Sequence, residues 1–144
     1  MSKLYNNRYY FAYGANTNND NMQHRCPLAI NYGKLILPDY RLVFRGVADI
    51  EPHAGSSVQG VLWYISDQCE MSLDIFEGYP HLYRKESFPC TWNHDKDKVF
   101  DVMYYKMNSN DLGKPSTGYY ATIYQGYRDN KLDTKFLNQA VQIS

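Results

Sequence analysis

The chain has 144 residues, and its 15 basic and 15 acidic side chains leave no net charge at neutral pH. It has no basic cluster, which argues against nucleic-acid binding, and no apolar run approaches the roughly 18 residues of a membrane-spanning helix. With 44% hydrophobic residues, the chain can bury the core of one domain. We expect a single domain over residues 1–144, as a monomer or weak homodimer, without nucleic-acid or membrane partners.

The N-terminal part of the chain predicts a strand that runs directly into a short helix. Tyr9–Tyr13 is rich in aromatic residues, which is typical of a buried strand. Small residues then break the strand, and Thr17 or Asn18 can cap a helix that reaches Arg25 before Pro27 stops it.

The next part of the chain predicts three strands. Tyr32–Leu37 and Tyr40–Phe44 are joined through the turn residues Pro38-Asp39. A predicted loop over Glu51–Ser56 leads to the apolar strand Ser57–Ile65. The helix that follows has Asp67 and Glu70 as a capping-box pair, and its apolar positions are Cys69, Leu73 and Phe76.

The C-terminal half predicts a hairpin and two helices. Tyr83–Thr91 and Val99–Met107 are the two strands, with Asn93–Lys98 as their polar tip. One helix begins after Pro115-Ser116, and a last amphipathic helix covers about Thr134–Gln142. About six mostly antiparallel strands with few helices predict an α+β fold, a small barrel with flanking helices.

The turn after the first strand is a candidate anion-binding site. Where a strand turns directly into a helix, consecutive backbone N–H groups point outward and suit a carboxylate or phosphate. Gly14 allows close approach to the backbone, Ala15 keeps the pocket open, and Asn16 can fix the loop or donate to the ligand. The alternative is a tight turn without a ligand.

Glu77 is the candidate acid/base. It falls on the last turn of its predicted helix, with Gly78 as the C-terminal cap, where the helix dipole disfavours ionisation. Burial among the aromatic residues around it also raises a carboxylate pKa. The alternatives are a solvated glutamate at a helix end, or catalysis by Asp74, which is better placed to brace the turn.

Other chemistries find little support in the sequence. Three distant cysteines suit a reducing cytoplasm, where each packs as a small hydrophobe: Cys26, Cys69 and Cys90. Cys26 beside Arg25 is an alternative nucleophile without a visible partner. Four histidines lack metal-ligand spacing, so we expect no zinc site: His24, His53, His81 and His94.

Four segments, in order, resemble the gamma-glutamylcyclotransferase-like (AIG2-like) superfamily. These are Tyr10–Asn16 with Met22 and Arg25-Cys26-Pro27, Val58–Trp63, Leu73–Pro80 with Tyr83 and Arg84, and Pro115-Ser116 with Tyr119, Ile123 and Gly126. The resemblance implies an enzyme that needs no metal or cofactor, with its active site at one mouth of the barrel. The cysteine usage leads us to expect this enzyme in the cytoplasm.

The resemblance also implies a reaction and the residues that perform it. The α-carboxylate of a gamma-glutamyl substrate binds the loop, and Glu77 moves the proton while the α-amine attacks the γ-carbonyl to form 5-oxoproline. The residues implied to bind the substrate are Tyr13, Gly14, Ala15, Asn16, Tyr83 and Tyr119. Ala15 stands where the family usually has serine, which removes one hydroxyl contact. A divergent member that binds or cleaves another small anionic metabolite is the alternative.

Overall fold

The computed structural model describes residues 7–92 and 95–144 and arranges them as a mixed sheet with helices on both faces. The strands are β1 (Asn7–Ala12), β2 (Ile30–Arg45), β3 (Val47–Ser66), β4 (Tyr83–Trp92) and β5 (Asp95–Met107). The helices are α1 (Asn19–Arg25), α2 (Asp67–Glu77), α3 (Thr117–Asp129) and α4 (Thr134–Ile143), and a 3-10 turn covers Ala15–Thr17. Within these ranges no helix is long and apolar enough to cross a membrane.

The sheet is five-stranded in the order β2-β3-β1-β5-β4. β1 lies at its centre, antiparallel to β3 and parallel to β5. The α+β class is confirmed, but the barrel description is too strong, because β2 and β4 end the order and leave the described sheet open. The predicted β4–β5 hairpin is confirmed, while Asn93 and His94 at its predicted tip lie outside the described residues.

The expected separation of Tyr32–Leu37 from Tyr40–Phe44 is wrong, because both segments belong to the single strand β2. The register with β3 shifts between Pro38 and Tyr40, and Asp39 takes a left-handed conformation with φ 62°. A bulge therefore absorbs the proline without ending the strand. The predicted loop over residues 51–56 is likewise part of β3.

Both faces of β1 are buried, which accounts for its aromatic residues. Phe11 packs with residues of β2, β3, α3 and α4 in one core cluster, whereas Tyr10 and Ala12 belong to a second cluster with residues of α1 and α2. Successive strand residues point to opposite faces, so one short strand supplies both cores. Each large side chain buried in this way stabilises the fold by about 1.5–3 kcal/mol.

Side-chain caps fix the ends of the helices. Of the two predicted caps, Thr17 and Asn18, it is Asn18 that caps α1, and its Oδ1 accepts from the N–H of Asn21 at 3.0 Å. The capping-box prediction for α2 is wrong: Ser66 is the N-cap, and Glu70 instead pairs with Arg8 and Lys85. Glu70 lies opposite two cations of neighbouring strands, a contact that local sequence does not reveal.

The prediction of three free cysteines is wrong for two of them. Cys26, at the end of α1, and Cys69, in the first turn of α2, form a disulfide with their Cα atoms 5.1 Å apart. The β2–β3 hairpin returns the chain to α1 and brings the two cysteines together across 43 positions of sequence. Disulfides are typical of oxidising compartments, so the cysteines no longer argue for a reducing cytoplasm. Cys90 is a free thiol.

The contact between α3 and the 3-10 turn depends on a glycine. A Cβ atom at Gly126 would clash with Thr17 Oγ1 and lie 2.5 Å from the backbone nitrogen of Asn18, whereas one at Gly118 on the same helix would meet nothing within 4 Å. We expect Gly126→Ala to lower the free energy of unfolding by about 1–3 kcal/mol through overpacking. Gly118→Ala should raise it by about 0.5–1 kcal/mol through helix propensity. Urea denaturation measures both, and equal effects of the two substitutions would contradict the close packing.

Candidate active site

One pocket brings the predicted site residues together. It lies where the end of β1, the start of β3, the C-terminal end of α2 and the start of α3 meet. All seven predicted residues line it: Tyr13, Gly14, Ala15, Asn16, Glu77, Tyr83 and Tyr119.

The floor of the pocket is the turn that follows β1. The first N–H groups of a 3-10 turn have no acceptor within the turn, and they are available to an anion. Both the backbone N–H and the hydroxyl of Thr17 donate to the Gly14 carbonyl, at 3.0 and 2.7 Å. Trp63 Nε1 donates to the carbonyl of Asn16 at 3.0 Å. The loop is therefore fixed without a ligand.

The Asn16 side chain is buried and joins two other residues. Its Nδ2 donates to the Tyr10 hydroxyl at 3.2 Å, and its Oδ1 accepts from Arg25 Nε at 3.1 Å. The Arg25 guanidinium also stacks on the Phe76 ring, 3.3 Å from the ring centroid. This chain of contacts leads from β1 through the turn to the residue before Glu77.

Glu77 is the last residue of α2. Gly78 ends the helix in the left-handed conformation with φ 64°, as the sequence predicts, and the N–H of Tyr79 donates to the Asp74 carbonyl at 2.9 Å. Burial raises the pKa of Glu77 to about 7, and the positive charge of Arg25 limits the increase. A carboxyl group with this pKa can accept and return a proton near neutral pH.

Of the tyrosine hydroxyls around the pocket, two donate hydrogen bonds to backbone carbonyls and one accepts from a backbone N–H. Tyr13 donates to the carbonyl of Tyr105 at 2.5 Å, and Tyr83 donates to the carbonyl of Ala48 at 2.6 Å. Tyr119, in contrast, accepts from the N–H of Ala48 at 3.0 Å. The backbone of Ala48 is thus held on both sides by pocket tyrosines, which fixes the position of their rings.

The wall at Ala48 rests on a buried ionic cluster. The neighbouring Asp49 is fully buried and accepts from Arg45 Nε and Lys106 Nζ, both at 2.7 Å, and from the N–H of Met107 at 3.0 Å. These bonds join β2, β3 and β5 directly behind the pocket. A buried carboxylate needs such partners, and its geometry is correspondingly restricted.

The rival candidates do not reach the pocket. Asp74 does not line it, because its carboxylate accepts from the Tyr105 hydroxyl at 2.7 Å and from Lys85 Nζ at 3.0 Å. This bracing role agrees with the sequence prediction. Cys26 is oxidised in its disulfide and is not a thiolate nucleophile.

Sequence analysis missed five residues of the pocket and its surroundings. Tyr10, Phe11, Ala48 and Tyr105 line the pocket, and Arg25 contacts Asn16 beside it. Tyr10 stands within the segment that carries the family resemblance, and its side chain alternates with that of Phe11 along the predicted strand. Its position in that segment could therefore have marked it as a candidate site residue. Nothing local to Ala48 or Tyr105 marks them, since they reach the pocket only through strand pairing.

Comparisons with known proteins agree on one relationship. The family model described as "Gamma-glutamyl cyclotransferase, AIG2-like" matches residues 10–126. A gamma-glutamylcyclotransferase from Bos taurus is 28% identical over 140 residues, covering 88% of this chain and 73% of that protein.

Solved structures share the fold. A gamma-glutamyl cyclotransferase superposes with a TM-score of 0.79 at 24% identity, over 94% of this chain and 86% of that chain. YkqA from Bacillus subtilis superposes with a TM-score of 0.76 at 22% identity, over 99% of this chain and 55% of that chain.

The raised pKa of Glu77 makes a prediction about stability. The pKa of Glu77 is about 7 in the folded protein and about 4.3 in the unfolded protein, so the folded state accommodates the protonated form below pH 4 without cost. Ionisation of the carboxyl group then lowers the free energy of unfolding as the pH rises through 7. We expect Glu77→Gln to be nearly neutral at pH 4 and to stabilise the protein by about 1–3 kcal/mol at pH 8. Denaturation at both pH values measures this difference.

Glu86 provides a control of opposite sign. Hydrogen bonds from Arg84 and Tyr104 outweigh its partial burial and lower its pKa, so its stabilising contribution is present at neutral pH and is lost as the pH falls through its folded pKa. Glu86→Gln should therefore cost more stability at pH 8 than at pH 4. A Glu77→Gln effect that does not vary with pH would contradict a partly buried carboxylate with a raised pKa at this position.

Proposed function

Because the chain belongs to the Gamma-glutamyl cyclotransferase, AIG2-like family, we propose that it is a cyclotransferase that cleaves a gamma-glutamyl amide. The products are 5-oxoproline and a free amine or amino acid. One observation carries the proposal: the carboxyl group with a pKa of about 7, that of Glu77, faces the same pocket as the turn Gly14–Asn16. An acid/base and an anion anchor are the two elements that this reaction needs.

The turn positions the substrate. Its free N–H groups bind the α-carboxylate, and Gly14 allows the anion to approach the backbone. A side chain at Gly14 would close this approach, since its Cβ would lie 3.0 Å from the Ala48 Cβ and 3.3 Å from the Tyr119 hydroxyl. The lone pairs of Tyr13 and Tyr83, whose protons are donated to backbone carbonyls, are available to the α-ammonium group.

Glu77 transfers two protons, one after the other, from the α-nitrogen to the departing nitrogen. Its carboxylate takes the first proton from the α-ammonium group, and the freed amine attacks the γ-carbon, so that a C–N bond forms, the carbonyl oxygen becomes an alkoxide and the attacking nitrogen becomes cationic. Protonated Glu77 gives its proton to the departing nitrogen as the carbonyl re-forms and the original amide C–N bond breaks. The Glu77 carboxylate then takes the second proton from the ring nitrogen, which leaves neutral 5-oxoproline, and passes it to the released amine, so that atoms and charge balance.

Much of the rate enhancement comes from orientation. The nucleophile and the electrophile belong to one molecule, so the protein needs to hold only one folded conformer of the glutamyl group. Effective molarities of well-oriented intramolecular reactions reach about 10⁵–10⁸ M, equivalent to roughly 7–11 kcal/mol of the activation barrier. A tight pocket with rigid walls serves this purpose better than a large one.

We expect Glu77→Gln to lower the release of 5-oxoproline from gamma-glutamyl compounds by about a hundredfold to ten-thousandfold, since the proton acceptor is lost. Asp74→Asn is the control: it removes a carboxylate from the same helix that is outside the pocket and should retain most of the activity. Chromatographic detection of 5-oxoproline over a panel of gamma-glutamyl amines, amino acids and peptides measures both. If the wild type binds these compounds but releases no 5-oxoproline, the protein is a binder and the proposal fails.

The serine that is usual in the family can be restored at Ala15, which is 7% exposed and lines the pocket. If the glutamyl head is the substrate, Ala15→Ser should change KM by about twofold to tenfold, which corresponds to the net value of one hydrogen bond, about 0.5–1.5 kcal/mol. Steady-state kinetics on the best substrate of the panel tests this expectation. A collapse of kcat/KM would mean that the pocket is shaped for a group other than a glutamyl head.

A further inference from the structure

Tyr10 lines the pocket but takes no part in the proton transfers of the proposed reaction. It is 3% exposed and lines the pocket, and its hydroxyl lies 3.2 Å from Asn16 Nδ2. The direction of that hydrogen bond decides what Tyr10 offers to a ligand.

Arg25 determines this direction. A guanidinium group has only donors, so Arg25 Nε must face the oxygen of the Asn16 amide, 3.1 Å away. The amide nitrogen then faces Tyr10, and because that nitrogen is only a donor, the Tyr10 oxygen accepts. Over residues 7–92 and 95–144 no acceptor is bonded to the Tyr10 proton, which leaves it available to a ligand in the pocket.

Tyr13 and Tyr83 line the same pocket with the opposite polarity. Their protons are donated to the carbonyls of Tyr105 and Ala48, so they offer lone pairs to a ligand. The pocket is therefore polarised: Tyr10 offers a proton, and the other two hydroxyls offer oxygen atoms. A substrate that carries an ammonium group and a carbonyl group side by side matches this arrangement.

On the basis of the proposed function, we propose that Tyr10 is a catalytic hydrogen-bond donor to the γ-carbonyl oxygen of the substrate. Arg25 is then a positioning residue that acts through Asn16. As the amine attacks, the π electron pair of the carbonyl moves onto its oxygen, and the Tyr10 hydroxyl stabilises this charge without transferring its proton. When the carbonyl re-forms and the amide bond breaks, the Tyr10 hydroxyl again donates to a neutral carbonyl oxygen.

The surroundings of Tyr10 suit a donor that keeps its proton. Burial and the nearby charge of Glu77 raise the pKa of Tyr10 far above its usual value, so the hydroxyl stays neutral while Glu77 titrates. A neutral donor that its neighbours hold in place needs no reorganisation as charge develops on the substrate, and such donors contribute strongly to acyl-transfer catalysis.

Tyr10→Phe removes the proposed donor and keeps the ring. We expect kcat for 5-oxoproline release to fall by about a hundredfold, with KM changed less than about threefold, because the hydrogen bond strengthens only as the alkoxide forms. Tyr120→Phe is the matched control, since that hydroxyl bonds to Asn138 away from the pocket. An unchanged kcat, or a loss confined to KM, would overturn the inference.

Asn16→Asp tests the direction of the relay with nearly the same shape. An aspartate accepts hydrogen bonds from both neighbours. The Tyr10 hydroxyl therefore turns its proton toward residue 16, and this proton is no longer available to the substrate. We expect the loss in kcat to match that of Tyr10→Phe, and the double variant to lose no more than either single variant. Independent, multiplicative losses in the double variant would overturn the role of Arg25 and Asn16.

The result for the wild type separates this inference from the proposed function. An inactive wild type across the gamma-glutamyl panel would overturn the proposed function and this inference with it. An active wild type that depends on Glu77 but not on the Tyr10 hydroxyl would overturn the inference alone. Thermal unfolding of each variant shows whether a loss of kcat accompanies a loss of fold. A variant that is folded at a lower temperature and still has the reduced kcat there supports the catalytic role.

Discussion

The site depends on one buried amide group that must have all its hydrogen bonds. Asn16 is 2% exposed, and its side chain is satisfied only when Tyr10 of β1 and Arg25 of α1 are both in place. Trp63 of β3 fixes the carbonyl of the same residue. An unpaired buried amide costs about 1–3 kcal/mol, so this single residue holds three elements at fixed distances around the anion-binding turn.

The opposite wall is fixed by charge. Asp49 is buried against Arg45 and Lys106, and its neighbour Ala48 is bonded through its backbone to Tyr83 and Tyr119. Buried ion pairs add little net stability, because desolvation offsets their attraction, but they permit few alternative geometries. The fold therefore uses polar groups at the back of the pocket to keep its aromatic lining in position.

The pKa of Glu77 depends on groups from both walls of the pocket. The aromatic lining removes water from its carboxylate and raises its pKa, while Arg25, held by Asn16 and by the Phe76 ring, limits that increase. The disulfide between Cys26 and Cys69 joins the helices that carry Arg25 and Glu77. The acid/base strength of Glu77 thus depends on how α1 and α2 are held together.

Local sequence determined the features that neighbouring residues decide: the strand before Gly14, the Asn18 cap, the end of α2 at Glu77 and Gly78, and the helix after Ser116. The motifs also selected seven of the residues that line the pocket. Tertiary structure decided the open five-stranded sheet, the disulfide, and the places of Tyr10, Ala48 and Arg25 around the site. The reason is physical: a cap or a turn depends on backbone groups within four residues, whereas desolvation, strand pairing and the direction of a hydrogen-bond relay depend on groups that only the folded chain brings together.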